Sequence, residues 1–360
     1  MAVIDADCHV IEPDETWDYF DEADMRLKPL ILVSANGNGN ARRFISIDGR
    51  IRGASTDDGG GRRDSSVVVA RQEMAGFSRT TEAMRTMRDV EGRLNHMDEL
   101  GVDIQVLFPT AMALGQITPR PDTEIALCRS YNRWAADVCS KSHGRLRWIA
   151  TPPLLSIDES IEQTRWSVDH GACGIRMRGF EGDRLLSDPY FFPLYDECQR
   201  LNIPVTIHAG NANPAYNSLV AGSAWASNKV PVMSAFQNLM YNEVPARFPT
   251  LRWGFIEAAA SWVPYMLIDL RRRMIRDGRT PLGDNPLKDN RMYVACQTND
   301  DLPYVIQYSG EDNLVIGSDY GHSDSSSELE ALKNFQSLTG LSSAVVHKIL
   351  EDNPAALYGL

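Results

Sequence analysis

Asp7 and His9 stand two residues apart in the apolar opening run Val3-Ile4-Asp5-Ala6-Asp7-Cys8-His9. In an extended chain residues i and i+2 leave the same face, so this carboxylate and this imidazole can reach one point in space. A second imidazole, His208, ends Pro204-Val205-Thr206-Ile207-His208, and a second carboxylate, Asp319, follows Gly317-Ser318. Two carboxylates and two imidazoles suit one divalent ion. The imidazoles supply affinity, the carboxylates offset the charge, and a position stays open for water or substrate. Zinc, manganese and iron all accept such ligands, and the residue types do not choose among them. A lone histidine near a strand end is more often a hydrogen-bonded structural residue. The Asp-x-His spacing and the recurrence of such groups at three strand ends favour the metal.

Other polar residues stand near these four. Asp5 shares a strand face with Asp7 and His9 but lies deeper, as a support for the ligands or a structural group. Glu257 ends the run Arg252–Ile256 and suits a general acid or base, a holder for a ligand histidine, or an ion-pair partner. His322 follows Asp319 by three residues and is expected to touch substrate or hold Asp319. Asp319, Glu257 and His322 form the candidate catalytic set. Gly174-Ile175-Arg176-Met177-Arg178 contains no lysine, so a bridging modified lysine for a two-metal centre is excluded there and a single-metal centre is favoured. Arg176 and Arg178 suit an anionic group, a carboxylate or phosphate, or pair with acidic neighbours. Tyr216 and Trp225, with Phe236, are candidates for a pocket wall or for packing.

These residues need elements to carry them. Eight short apolar runs read as strands: Val3-Ile4, Asp103–Phe108, Leu146–Ala150, Gly174–Met177, Pro204–His208, Arg252–Ile256, Met292–Ala295 and Asn313–Gly317. Between them lie stretches of helical period near Met84–Leu100, Thr123–Ser142, Ile157–His170, Tyr190–Leu201, Ser227–Ala246, Trp262–Asp277 and Leu302–Tyr308. In the first of these, Val90, Leu94, Met97 and Leu100 share one face and Gly101 ends it. Strands alternating with helices predict parallel βαβ units, and eight of them predict an α/β fold of the closed (β/α)8 barrel type. The open doubly wound rival carries a glycine fingerprint after its first strand, which Asp5–His9 does not resemble. In a barrel, the ends of the first, fifth, sixth and eighth strands converge at one mouth. Residues 14–85 form a long insertion after the first strand, expected to cap the mouth or build an oligomer contact. Within it Phe44–Ile51 alternates around Asp48-Gly49, a hairpin signal. Asn36–Gly39 and Asp57–Gly61 read as flexible loops. No internal repeat is visible, and residues 1–360 are expected to form a single domain.

The net charge of −12 over 360 residues argues against a nucleic-acid partner. Six cysteines are scattered without a CxxC pair, so reduced, buried thiols are expected rather than a disulfide frame or zinc ribbon. The chemical motif begins at Asp5, leaving no room for a signal peptide, and no apolar run approaches the roughly 18 residues of a membrane span. These features place the expected location in the cytoplasm.

The sequence resembles the amidohydrolase superfamily, in particular the branch of aminocarboxymuconate semialdehyde decarboxylase and related metal-dependent decarboxylases and hydrolases. The resemblance runs over nearly the whole chain, through Val3–Pro13, Ile207-His208-Ala209-Gly210, Phe248-Pro249-Thr250-Leu251-Arg252 leading to Glu257, Gly317-Ser318-Asp319, and Asn353–Tyr358, which looks like the family's terminal helix. The family usually opens His-x-His. Asp7 stands where the first His would be, as an acidic residue does in several of its decarboxylases. His208 matches the strand-five ligand, Asp319 the strand-eight aspartate, and Glu257 occupies a position often held by a catalytic His. The resemblance implies a homodimer, one divalent metal, and a small carboxylic acid or acyl derivative as substrate. Glu257 in place of an imidazole leads us to expect hydrolysis of an amide, ester or thioester, an acyl-CoA thioester among them. The alternatives are non-oxidative decarboxylation of an aromatic or unsaturated acid, and a non-catalytic binding role.

Overall fold

A computed structural model describes residues 2–35, 41–54, 80–112, 116–322, 325–337 and 340–360. The expected loops at 36–39 and 57–61 lie outside the described residues, as does much of the insertion's second half.

The strands, in chain order, are β1 (Ile4–Val10), β2 (Leu30–Ala35), β3 (Ala41–Ile47), β4 (Arg50–Ala54), β5 (Ile104–Pro109), β6 (Leu146–Ala150), β7 (Ala172–Arg178), β8 (Val205–His208), β9 (Trp253–Phe255), β10 (Met292–Cys296) and β11 (Leu314–Ile316). Helices Val90–Leu100, Pro121–Ser140, Ile157–Asp169, Phe192–Arg200, Ala224–Tyr241, Val263–Arg276 and Leu302–Ser309 alternate with β5 to β11. The sheet runs β1-β5-β6-β7-β8-β9-β10-β11, and its strand pairs are parallel. A parallel bridge between Cys8 and Tyr320 brings the chain beyond β11 back onto β1. This is the expected (β/α)8 barrel, with strand ends displaced by a few residues.

Ile4, Val106, Ile149, Ile256, Ala295 and Val315 join one apolar cluster with Leu357 and Tyr358. Side chains from strands on opposite sides of a ring meet only inside it, so this cluster is the barrel's filling. Tyr358, from the terminal helix Asn353–Tyr358, donates its hydroxyl to Ala6 O at 2.7 Å and plugs the end where β1 begins. A larger cluster packs the helices on the outside of the strands.

Helix Val90–Leu100 shows how local sequence sets an element and where the pattern falls short. Asp89 caps it through Gly92 N at 2.8 Å, and Gly101, at φ 70°, ends it. Its buried face is Arg93, His96, Met97 and Leu100, whereas Val90 and Leu94 are half-buried. Two polar residues are thus inside because they have partners. Arg93 donates to His9 O at 3.0 Å and to Gln105 Oε1 at 2.9 Å, and His96 meets the Tyr320 hydroxyl at 3.1 Å.

The excursion after β1 is anchored along helix Pro121–Ser140. Ser130 donates to Thr16 O at 2.7 Å, while Arg129 and Arg133 reach Asp21 at 2.9 and 2.6 Å. β3 and β4 form the expected hairpin, with Asp48 and Gly49 both at positive φ (51° and 72°) in a two-residue turn. The Asp48 carboxylate then accepts from Thr118 and Thr123. Among the described residues no helix is long and apolar enough to cross a membrane.

The seam between β1 and the end of β11 depends on close backbone approach. Asp319 N donates to Asp7 O at 2.9 Å and His9 N to Tyr320 O at 2.6 Å. A Cβ at Gly317 would lie 2.3 Å from Asp7 Cβ, and one at Gly321, which has φ 102°, would lie 2.9 Å from His9 O. Gly317→Ala is therefore expected to push the seam apart and cost about 1–3 kcal/mol of stability, measured by urea unfolding. An alanine variant as stable as the parent would contradict this account of the closure.

Candidate metal centre

β1, β8 and the turn after β11 deliver Asp7, His9, His208 and Asp319 to one buried place. Asp7 Oδ1 lies 3.6 Å from His9 Nε2 and 3.4 Å from His208 Nε2, the two imidazole Nε2 atoms are 3.1 Å apart, and Asp319 Oδ1 is 3.5 Å from His9 Nε2. Two trios of potential ligands overlap here, Asp7 with His9 and His208, and His9 with Asp319 and His322.

Hydrogen bonds fix the tautomers. His9 Nδ1 lies 3.1 Å from Pro109 O and His208 Nδ1 3.4 Å from Ala209 O. A carbonyl only accepts, so each Nδ1 carries a proton, and in the neutral imidazole the lone pair is then on Nε2. The two lone pairs face each other, and between them comes Asp7 Oδ1, which is buried and accepts no hydrogen bond among the described residues. Burial, and then the neighbouring His322 and His208, hold the His9 pKa well below the ordinary imidazole value, which opposes filling the gap with a proton. Converging electron pairs without protons are what a divalent cation needs, and these residues fit one.

The ligands are braced from behind. Asp5, wholly buried, accepts from Ser318 N at 2.8 Å and Ser318 Oγ at 2.5 Å, holding the residue before Asp319. Burial raises its pKa to about 6 against the pull of those hydrogen bonds. Ser327 donates to Asp319 Oδ2 at 2.8 Å. His322 Nδ1 lies 2.8 Å from Asp319 Oδ1, and its ring stacks on His9 at 3.7 Å between centroids. His322 Nε2 is 2.9 Å from Thr110 Oγ1, which spends its own proton on Val10 O at 2.7 Å. Glu257 Oε2 sits 3.3 Å from His208 Nε2. Glu257 and Asp319 both adopt left-handed backbone, at φ 62° and 52°, a strained choice for non-glycine residues that turns their carboxylates off the strand ends. Phe108 packs beside both ligand rings, 4.8 Å from His208 and 6.2 Å from His9 between centroids, and makes one wall apolar.

The remaining expected site residues are placed as follows. β7 pairs with β8 so that Arg178 lies opposite His208 and Arg176 opposite Thr206. Arg176 Nη2 donates to Met112 O at 2.6 Å, and Arg178 forms a forked pair with Glu181 at 3.0 and 2.9 Å. Tyr216 donates to Ala226 O at 3.0 Å and packs edge-on to Phe180. Trp225 begins helix Ala224–Tyr241 with 60% of its surface exposed, and Phe236 is fully buried against Phe255 and Trp262 as core. Sequence reasoning missed Glu12. Its buried carboxylate accepts from the backbone N–H groups of Thr110, Ala111 and Met112 at 3.3, 2.9 and 3.1 Å, shaping the loop that meets His322 and Arg176. The only signal was its place in Ile11-Glu12-Pro13.

The amidohydrolase family pattern matches residues 4–360. The chain is 22% identical over 263 residues, 70% of its length and 73% of the relative's, to 2-amino-3-carboxymuconate-6-semialdehyde decarboxylase of Dictyostelium discoideum. Among solved structures, an amidohydrolase of Mycobacterium avium subsp. paratuberculosis K-10 superposes with TM-score 0.76 at 18% identity, covering 99% of both chains. The dihydroxybenzoic acid decarboxylase of Polaromonas sp. JS666, solved with manganese and the inhibitor 2-nitroresorcinol, superposes with TM-score 0.61 at 19% identity, covering 75% of this chain and 86% of that one. These findings correct the expectation of a hydrolase acting on an amide, ester or thioester, since the relatives named for a reaction, from Dictyostelium and Polaromonas, are decarboxylases. The expectation rested on Glu257 replacing an imidazole. A carboxyl group beside a metal can protonate carbon as readily as it can manage a water, so the replacement did not report which bond breaks.

Divalent metal should stabilise the folded chain by mass action. Millimolar manganese is expected to raise the melting temperature of chelator-treated protein, with no rise in His208→Ala. The contribution of His9 to the pH dependence of stability has a definite sign. His9 stays neutral in the folded chain, whereas an unfolded imidazole takes up a proton near its ordinary value of 6.5. Its contribution is therefore complete above that pH and is lost as pH falls below it. Nitrogen-15 NMR of histidine-labelled, metal-free protein is expected to show His9 neutral at pH 6, and a His9 imidazole charged there would contradict this.

Proposed function

This chain belongs to the amidohydrolase family, and we propose that it is a metal-dependent, non-oxidative decarboxylase of a small aromatic or unsaturated carboxylic acid. The observation that carries the reading is the convergence of Asp7 Oδ1, His9 Nε2 and His208 Nε2 beside a second carboxylate, Glu257, 3.3 Å from His208. The kinship with a decarboxylase across 70% of the chain supports it.

Asp7, His9, His208 and Asp319 would hold one divalent ion, zinc, manganese or iron. When bound, the ion supplies a Lewis acid that binds and polarises anionic oxygens. The residues around it do the rest. Phe108 packs against both ligand imidazoles and keeps water from that side of the ligands. Glu257 gives the proton from its carboxylic acid form and regains one from water before the next turnover. As the carbon–carboxyl bond breaks, its electron pair stays on the ring carbon and takes the Glu257 proton, and carbon dioxide leaves. His322 and Ser327 hold Asp319 in place from two sides. Arg176 and Arg178 brace the loops that border the mouth through Met112 O and Glu181.

The test is turnover. Protein loaded with manganese and given a panel of hydroxybenzoic and unsaturated acids is expected to release carbon dioxide stoichiometrically with the decarboxylated product. Glu257→Gln should retain the metal and lose about 10²–10⁴-fold in kcat, the range for removal of a general acid. A Glu257→Gln enzyme that decarboxylates at the parent's rate would remove Glu257 from the reaction. Absence of carbon dioxide from every acid would remove the reading itself.

A further inference from the structure

Pro231 lies inside helix Ala224–Tyr241. Proline has no N–H for the carbonyl four residues back, and its ring crowds that carbonyl, so the helix opens at this turn. The carbonyl concerned is Ser227 O, and it accepts from Asn211 Nδ2 at 2.7 Å. The next carbonyl, Asn228 O, accepts from Gly210 N at 3.0 Å. Both donors belong to the segment that directly follows the ligand His208.

The link reaches the imidazole through one peptide unit. The Ala209–Gly210 peptide is trans and planar, so fixing its N–H on one side fixes its carbonyl on the other. That carbonyl, Ala209 O, is the one 3.4 Å from His208 Nδ1. Gly210 adopts φ 113°, a backbone that glycine takes without strain. Asn211 is fully buried and saturated: its Oδ1 accepts from Asn213 N at 3.0 Å, and its Nδ2 also reaches Asn217 Oδ1 at 2.9 Å. β7 seats against the same turn. A Cβ at Gly179, the residue after Arg178, would lie 2.2 Å from the Pro231 carbonyl carbon, so only a bare backbone fits.

We propose that Pro231 and Asn211 are positioning residues for His208: the opened helical turn, taken by Asn211 Nδ2 and Gly210 N–H, aims Ala209 O at Nδ1 and so leaves Nε2 bare toward Asp7 and His9. The proposal rests on the reading of His208 as a metal ligand. Such outer partners fix the tautomer of ligand histidines, and their loss weakens metal affinity about 10–100-fold.

Pro231→Ala and Asn211→Asp test it from two sides. Alanine at 231 supplies a helical N–H that competes for Ser227 O. Aspartate at 211 keeps the oxygen that accepts from Asn213 N but loses the donor. Nitrogen-15 NMR of histidine-labelled, metal-free protein reads the His208 tautomer, and calorimetric titration with manganese reads affinity. In the parent, His208 is expected in the Nδ1–H form. In each variant the Nε2–H form is expected to emerge and affinity to fall about tenfold, with circular dichroism unchanged. The double variant should be no weaker than the weaker single, because both break one link. Parent-like tautomer and affinity in folded Pro231→Ala would overturn the proposal. That variant gains a helical bond, so it decides the matter even if Asn211→Asp unfolds. A parent that takes up no manganese while the variants still shift the tautomer would overturn the metal reading and leave the linkage standing.

Discussion

A short backbone seam governs this molecule. Asp319 N–H bonds Asp7 O and His9 N–H bonds Tyr320 O, and these two contacts bring the chain after the last barrel strand onto the first. The same residues contribute Asp7, His9 and Asp319 side chains to the buried cluster. Closing the barrel therefore also brings three of the four ligands together. The seam tolerates no side chain at Gly317, and Asp5 locks it by taking both hydrogen-bond donors of Ser318.

The cluster carries an electrostatic cost that explains much around it. Two carboxylates and two bare imidazole nitrogens are held out of water at contact distance, which is unfavourable unless a cation joins them. The surroundings are accordingly arranged to orient ligands rather than to neutralise them. Carbonyls from Pro109 and Ala209 fix the histidine tautomers, Ser327 and His322 flank Asp319, and Arg93 reaches His9 only through its backbone oxygen. The guanidinium of Arg178 is matched by Glu181 in a forked pair. A divalent metal would supply the charge that the polypeptide leaves out.

The barrel was legible because each strand is a short apolar run with its own helix after it, and the Asp-x-His spacing exposed the first two ligands. His208 and Asp319 were legible only as groups at strand ends, which a barrel brings to one mouth. What escaped the sequence has physical causes. Arg93 and His96 lie on the buried face of an amphipathic helix because their partners, His9 O and the Tyr320 hydroxyl, are remote in the chain. Glu12 organises the loop after β5 through three backbone N–H groups, a pattern no residue type announces. Glu257 was visible, but a carboxyl group's reaction is set by what it faces, and the expectation of hydrolysis failed on that point. The aromatic character of Trp225 does not report that most of its surface is exposed.

The central claim is that the seam builds a site for one divalent ion on which activity depends. Elemental analysis of the purified protein, paired with carbon dioxide release before and after chelation, tests it most directly. One equivalent of metal per chain, with turnover lost on chelation and regained on adding metal back, is the predicted result. Substoichiometric metal in fully active protein, or full turnover after chelation, would contradict it.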